Sequence, residues 1–223
     1  MLLDRLVSAV LPQRCAVCGL IGEAVCAACL AALVRVAPPL CERCGSPGHW
    51  PVRRCAECAG RRLAFAAARS ALVYDERARA LVRSWKEHGR RDLVHAAAEL
   101  VTETVPPPTA SVLTFVPADD DRRLERGHAP PRALAEALAE RWAVPVADLL
   151  GRTRRLPPQR GLSLVERRRN VRGAFVARGQ VAVRVCLVDD VYTTGATANA
   201  CASALRRAGA RSVTVVSLAR AVR

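Results

Sequence analysis

The sequence predicts an α/β fold, a parallel sheet flanked by helices, with a small metal-binding module in front. Over residues 111–223, short apolar and β-branched runs alternate with helical stretches. Such strand–helix–strand order implies parallel strands joined by crossovers. The first 60 residues instead hold eight cysteines in four Cys-x-x-Cys pairs. We therefore divide the 223 residues into a module at 1–60 and a domain at 61–223.

The N-terminal segment is apolar but short. Asp4 and Arg5 interrupt it and no small-residue cleavage site follows, so we expect neither a signal peptide nor a membrane span. We expect a short amphipathic helix that packs on its own protein, because one helical face would carry Leu2, Leu3, Leu6, Val7 and Val10. The expected location is the cytoplasm.

The cysteine pairs predict two structural zinc ions. Each pair aims two thiolates at one point, and two pairs complete the tetrahedral sulfur shell that zinc prefers. A segment with so little core needs a metal to fold, and disulfides are not expected in a chain without an export signal. The predicted ligands are Cys15, Cys18, Cys26, Cys29, Cys41, Cys44, Cys55 and Cys58.

Which pairs share a metal is open at this stage. Sequential pairing and interleaved pairing, first with third and second with fourth, both satisfy the spacing, and His49 is an alternative ligand. Gly19 and Gly45 follow the second cysteine of two pairs, where a tight turn requires a positive φ. The single cysteines Cys186 and Cys201 lie in apolar surroundings and are expected to be buried small hydrophobes.

The remaining elements follow in order from periodicity and from turn residues. A triple proline at 106–108 marks a loop. We predict strands and helices as follows: strand Arg69–Tyr74, helices from Glu76 to Glu103, strand Ser111–Val116, helix Pro131–Trp142, strand Val181–Val188, helix Ala198–Ala208 and strand Ser212–Leu218.

The segment Val185–Thr197 is the most informative in the chain. A buried strand leads to two adjacent acids, Asp189 and Asp190, and then to a Thr-Thr-Gly-Ala-Thr loop that opens a helix. Ligands of α/β proteins bind at the carboxyl ends of parallel strands. The N–H groups of such a loop and helix suit a phosphate, and the two acids suit the hydroxyls of an attached sugar. The structural alternative is an ordinary helix capped by Thr194 or Thr197.

At these residues the chain resembles the type I phosphoribosyltransferases, whose signature for phosphoribosyl diphosphate (PRPP) has two acids and a Thr-Thr-Gly-x-Thr loop. With the cysteine module in front, the order of further segments resembles the ComF family of competence-associated, phosphoribosyltransferase-like proteins with a double zinc ribbon. The resemblance covers nearly the whole chain. The further segments are Tyr74, Trp85 to Gly89, Arg126-Gly127, Gln159, Leu162, Glu166-Arg167, Asn170-Val171 and Gly173 to Phe175.

The resemblance implies a type I phosphoribosyltransferase-like fold and a role for each part of the site. Asp189 and Asp190 would hold the ribose hydroxyls, and the loop Thr193, Thr194, Gly195, Ala196 and Thr197 the 5′-phosphate. A loop at 117–127 would take the pyrophosphate with Mg²⁺, through Arg122, Arg123, Arg126 and Gly127. An arginine-rich flap at 152–172 would cover the site, with Gln159, Arg167 and Asn170. No residue is assigned to catalysis.

The basic charge of the chain leaves three interpretations of the flap. The formal net charge is +15, and Lys86 is the single lysine among 35 basic residues. The flap would bind PRPP phosphates, bind single-stranded nucleic acid, or be a solvated loop in an arginine-biased chain. No aromatic residues interleave with its arginines, so base stacking by the flap is poorly supported.

Two function hypotheses follow, an enzyme and a binding protein. The enzyme would transfer phosphoribosyl from PRPP to an acceptor that the sequence does not identify. The binding protein would hold PRPP or a nucleotide 5′-phosphate, and would handle single-stranded DNA with competence proteins, as the resemblance implies. Asp119 to Asp121 lie in the expected pyrophosphate loop, where carboxylates repel pyrophosphate unless Mg²⁺ intervenes, and this favours binding without turnover. A third option is a structural relative without a ligand.

Overall fold

A computed structural model of the chain describes residues 12–118, 128–154, 164–181 and 183–222, apart from the side chains at 164, 165, 167 and 168. The amphipathic helix expected around Leu2 to Val10 lies outside these residues. No helix in the described ranges is long and apolar enough to cross a membrane.

The cysteine-rich segment is followed by alternating strands and helices. The helices are α1 Ala27–Ala32, α2 Glu76–Glu87, α3 Leu93–Thr104, α4 Pro130–Trp142, α5 Leu164–Val171 and α6 Ala196–Arg207. The strands are β1 Ala67–Val73, β2 Val112–Phe115, β3 Leu150–Arg152, β4 Phe175–Ala177, β5 Arg184–Tyr192 and β6 Ser212–Arg220.

The main sheet has the order β1-β6-β5-β2, and all of its strand pairs are parallel. The predicted α/β class with a parallel sheet is therefore confirmed. A second sheet of β3 and β4, paired antiparallel, was not predicted. It joins the two ends of the segment expected to form the flap.

The boundaries of the strand predicted at Val181–Val188 were wrong. The strand β5 begins at Arg184 rather than Val181, and it runs past the acids to Tyr192 because Val191 and Tyr192 pair with β6. The helices predicted from Glu76 to Glu103 are confirmed as α2 and α3, which are separated by a turn where Gly89 has a φ of 65°.

The core consists of two layers, one on each face of the sheet. One layer packs α2, α3 and α4 against side chains such as Cys186 and Val188 of β5. The other packs α6 against Val185 and Leu187 of the same strand. The alternation follows from the two-residue period of a strand, and it buries β5 on both faces, as is usual for a central parallel strand. Cys201 of α6 is also fully buried, as expected.

Candidate functional site

The eight paired cysteines form two separate clusters. Cys15, Cys18, Cys26 and Cys29 make one, and Cys41, Cys44, Cys55 and Cys58 make the other, and within each cluster all Sγ atoms lie within 4.8 Å of one another. The pairing is therefore sequential, which resolves the alternative that spacing left open. His49 is exposed and belongs to neither cluster.

The sulfur geometry fits zinc. Four thiolates bound to one zinc at about 2.3 Å lie about 3.8 Å apart in a tetrahedron. In the second cluster the Sγ–Sγ distances are 3.6 Å for Cys41 and Cys58, 3.4 Å for Cys44 and Cys55, and 3.9 Å for Cys55 and Cys58. In the first cluster, Cys18 and Cys26 lie 3.8 Å apart. The cysteines of each cluster can hold one structural zinc ion.

Glycine turns close the clusters, and backbone N–H groups favour the thiolate of Cys41 in the second cluster. Gly19 donates to the carbonyl of Cys15 at 2.9 Å, and Gly45 donates to the carbonyl of Cys41 at 2.8 Å. Both glycines have the expected positive φ, 78° and 69°. Burial raises the pKa of Cys41, but backbone N–H groups of Cys44, Cys55 and Arg43 outweigh it and leave the pKa lowered to about 7.

The second cluster is packed directly on the main sheet. A Cβ added to Gly45 would lie 2.4 Å from the carbonyl oxygen of Ala68 in β1, so this close approach requires glycine. The fully buried Arg220 of β6 donates to the carbonyl of Cys44 and forms an ion pair of 3.1 Å with Glu57. Arg220 also lies over the ring of Tyr192 at 5.3 Å. These contacts connect the cluster to the end of β5.

The two acids of the signature lie at the carboxyl end of the central strand. Phe115 at the end of β2 pairs with Val188, so Asp189 and Asp190 lie just beyond the last β2 pair. Both acids are buried, with 8% of their surface exposed. One carboxylate oxygen of Asp189 accepts a hydrogen bond of 2.9 Å from the backbone N–H of Asp190.

Two cations compensate part of this negative charge. Lys86, in the last turn of α2, forms an ion pair of 2.6 Å with Asp190. Arg152, at the end of β3, donates to the carbonyl of Pro117 at 2.8 Å. Burial raises the pKa of Asp189 to about 8 and the charge of Asp190 adds to the rise, while Lys86 and Arg152 oppose it. The site therefore favours a bound group that donates hydrogen bonds to the acids.

The loop after the acids presents unpaired backbone donors. Gly195 has a φ of 67°, and a Cβ there would lie 2.2 Å from the hydroxyl oxygen of Tyr192. The hydroxyl of Thr194 accepts a hydrogen bond of 3.2 Å from the N–H of Ala196, and the N-cap residue Gly195 has no side chain to satisfy the other N–H groups at the start of α6. Among the described residues, no acceptor contacts the N–H of Thr193, Gly195 or Thr197. With the positive end of the helix, these donors suit a phosphate.

The other predicted site residues are only partly described. The pyrophosphate-loop residues Arg122, Arg123, Arg126 and Gly127 and the flap residue Gln159 lie outside the described residues, as does the side chain of Arg167. Asn170 lies in α5, where its carbonyl accepts a hydrogen bond of 2.7 Å from Arg154. Thr153 also donates to the carbonyl of Gly173 at 2.8 Å. The two ends of the flap segment therefore meet.

Sequence reasoning gave no site role to three residues that the structure brings to the acids and the loop. Lys86 contacts Asp190. The ring of Tyr192 lies against Gly195, and the guanidinium group of Arg220 lies over the same ring. One signal was present for Lys86, because a single lysine in a chain rich in arginine suggests a position where arginine does not serve. No comparable indication was present in the sequence for Arg220, because this residue follows an apolar strand as an ordinary terminal arginine would.

Comparison with known proteins identifies one domain family and two similar bacterial proteins. Residues 6–61 match the double zinc ribbon domain family. The chain is 28% identical over 195 residues to Competence protein F of Haemophilus influenzae, covering 82% of this chain and 85% of that protein. It is 30% identical over 206 residues to the DNA utilization protein YhgH of Salmonella typhi, covering 88% and 90%.

One solved structure that is similar to part of this chain is the glutamine PRPP amidotransferase from B. subtilis complexed with ADP and GMP. It is 25% identical with a TM-score of 0.37, and the match covers 57% of this chain. The chain spans about a quarter of the length of that enzyme, as the match covers 26% of it.

The fold and the cysteine clusters define an α/β protein whose parallel sheet follows a double zinc ribbon. By its identity to curated relatives over most of their length, the chain belongs to the ComF family.

Proposed function

We propose that this protein binds PRPP, or a nucleotide through its ribose 5′-phosphate, at the carboxyl end of β5. The observation that carries the proposal is a buried pair of carboxylates directly followed by a loop of unpaired N–H groups. In this proposal Asp189 and Asp190 accept hydrogen bonds from the ribose hydroxyls, and the loop Thr193 to Thr197 holds the 5′-phosphate. Acids that are followed within a few residues by phosphate donors match a ligand that donates hydrogen bonds at one end and carries an anion at the other.

The pyrophosphate of PRPP would be held by the loop at 117–127 and by the flap. Arg122, Arg123, Arg126 and Gly127 are proposed for the first, and Gln159, Arg167 and Asn170 for the second. Mg²⁺ would supply charge neutralisation of the pyrophosphate when it is bound with PRPP. Lys86 is proposed to orient the carboxylate of Asp190 towards the ribose hydroxyls, because the two side chains form an ion pair of 2.6 Å.

The test is calorimetric titration of the zinc-loaded protein with Mg²⁺–PRPP and with ribose 5-phosphate. Asp190→Asn keeps the size of the side chain and should weaken binding of both at least tenfold, because a hydrogen bond to a charged acceptor is lost. The matched control is Asp148→Asn, which removes a half-exposed carboxylate paired with Arg178 elsewhere on the surface. Equal affinities of the two variants would contradict the assigned site.

Turnover is a separate question from binding. Release of pyrophosphate from Mg²⁺–PRPP in the presence of a panel of nucleobases would extend the proposal to phosphoribosyl transfer. Intact binding without release would define a binding protein. Because pyrophosphate leaves whichever base accepts the phosphoribosyl group, the assay distinguishes the two hypotheses for any acceptor in the panel.

A second candidate function is the handling of single-stranded DNA during DNA uptake. It is supported by the net charge of +15 and by relatives named Competence protein F and DNA utilization protein. Contacts to phosphates predict an affinity for single strands that falls steeply with salt. Affinity for a fluorescent oligonucleotide measured over a range of salt tests it, and an absence of binding at low salt would exclude it.

A further inference from the structure

A cavity beside the proposed PRPP site lies along α6. It has a volume of about 510 Å³ and is bounded by the segment 60–63 that leaves the second zinc cluster, by residues 171–175 and by α6. Asp189, Asp190, Thr193 and Thr194 are not among its lining residues, and Ala196 at the start of α6 is the one residue it shares with the phosphate loop. Its volume falls in the range of pockets that hold small organic ligands. We call it the arginine pocket.

The charge of this pocket is uncompensated. Four arginines line it, Arg61, Arg62, Arg172 and Arg207, and no Asp or Glu is present among the described residues around it. Arg61 donates to the carbonyl of Glu57 at 3.2 Å. The guanidinium groups of Arg62, Arg172 and Arg207 make no hydrogen bond or ion pair within the described part of the chain. Like charges around a cavity repel one another, and an anion in the cavity relieves that repulsion.

Other lining residues of the arginine pocket are suited to an aromatic base. Leu63, Phe175 and Ala200 provide an apolar wall. Asn199 and Ser203 add polar groups with fixed roles. The Oδ1 of Asn199 accepts a hydrogen bond of 2.7 Å from the N–H of Ala64, which leaves its NH₂ group as the donor, and the hydroxyl of Ser203 donates to the carbonyl of Asn199 at 2.7 Å, which leaves its oxygen as an acceptor.

We propose that the arginine pocket is a second binding site, and that its ligand is a nucleotide. The base lies on the apolar wall beside Asn199 and Ser203, and the phosphates lie between the guanidinium groups of Arg62, Arg172 and Arg207. Planar guanidinium groups recognise phosphate through paired hydrogen bonds. This inference goes beyond the proposed function, because the ligand contacts come from Arg62, Arg172, Arg207, Asn199 and Ser203, and the pocket shares with the phosphate loop only Ala196.

The test measures nucleotide binding to the zinc-loaded, full-length protein by equilibrium dialysis with labelled ATP, ADP, AMP and GMP. Pyrophosphate and ribose 5-phosphate serve as ligands without a base. The double variant Arg172→Ala/Arg207→Ala should weaken nucleotide binding at the pocket at least tenfold. The control is Arg211→Ala, an exposed arginine outside the pocket, which should leave the affinity within twofold.

A second variant fills the cavity without changing charge. Ala200→Trp places a large ring in the pocket and should abolish nucleotide binding there. If this variant does not fold, as judged by zinc content and thermal unfolding, the arginine variants still test the proposal, since Arg172 and Arg207 are exposed.

The Asp190→Asn background separates this proposal from the proposed function. In that background one nucleotide per chain should still bind, and the arginine variants should remove it. Loss of all nucleotide binding in Asp190→Asn would overturn the second site and leave the PRPP site standing. If the wild-type protein binds nucleotides at the pocket but does not bind PRPP, the PRPP site is overturned and the second site stands. Equal affinity for nucleotides and pyrophosphate would contradict a base-binding pocket.

Discussion

The conformation of Gly195 gives a prediction that joins stability to ligand binding. Gly195→Ala would place a Cβ at a residue with a φ of 67°, 2.2 Å from the hydroxyl oxygen and 2.6 Å from Cζ of Tyr192. Two costs arise, strain in the left-handed region and steric overlap with a buried ring. We expect the helix start and the phosphate loop to shift, since Tyr192 is itself held under Arg220.

The two costs are of known size. The left-handed conformation costs an alanine about 1–2 kcal/mol, and overpacking of a buried site adds about 1–3 kcal/mol. The free energy of unfolding should therefore fall by about 2–5 kcal/mol. The matched control is Gly60→Ala, since Gly60 has the same φ of 67° and no atom within 4 Å of an added Cβ. It should show the strain alone, about 1–2 kcal/mol.

Urea unfolding of both variants, followed by calorimetry with Mg²⁺–PRPP, measures the two effects. Gly195→Ala should lose more stability than Gly60→Ala and should bind PRPP at least tenfold more weakly. Gly60→Ala should keep its affinity within twofold. Equal losses of stability together with unchanged PRPP affinity would refute the reasoning about this loop.

Three other variants test the site and the metal clusters. Burial raises the folded-state pKa of Asp189 from its usual 3.8 to about 8. The folded protein therefore keeps a proton that the unfolded chain has lost, and its stability should fall as pH rises from about 4 to about 8. In thermal unfolding over this pH range, Asp189→Asn should flatten the profile. Lys86→Met removes the ion-pair partner of Asp190 and should lower the free energy of unfolding by about 1–3 kcal/mol, whereas the exposed-pair control Arg83→Met should lower it by under about 1 kcal/mol. Elemental analysis should find two zinc per chain and one in Cys15→Ser/Cys26→Ser, whereas zero in that variant would indicate interleaved pairing.

The parts of the site that sequence reasoning identified are those encoded locally. The Cys-x-x-Cys spacing was sufficient to predict metal clusters, and Val185 to Thr197 carried the strand, the acids and the loop in one continuous run. The residues Gly19 and Gly45 were also predictable, because a positive φ is a local requirement of the turn.

The parts that sequence reasoning did not identify depend on contacts between distant segments. Sharing of a metal between cysteine pairs is set by how the ribbons fold, and the spacing of the pairs permits either arrangement. The strands β3 and β4 have three residues each, too short for a period to be recognised, and their pairing is non-local. The ion pair of Lys86 with Asp190 joins α2 to β5 across the fold.

Binding of ribose 5-phosphate by the loop after the acids can be measured by two-dimensional NMR of ¹⁵N-labelled protein titrated with this ligand. We expect the amide signals of Thr193, Gly195 and Thr197 to shift in a saturable manner in the wild type. In Asp190→Asn they should shift only at concentrations at least tenfold higher. Saturable shifts elsewhere in the protein, with these three amides unmoved, would show that ribose 5-phosphate binds at another site.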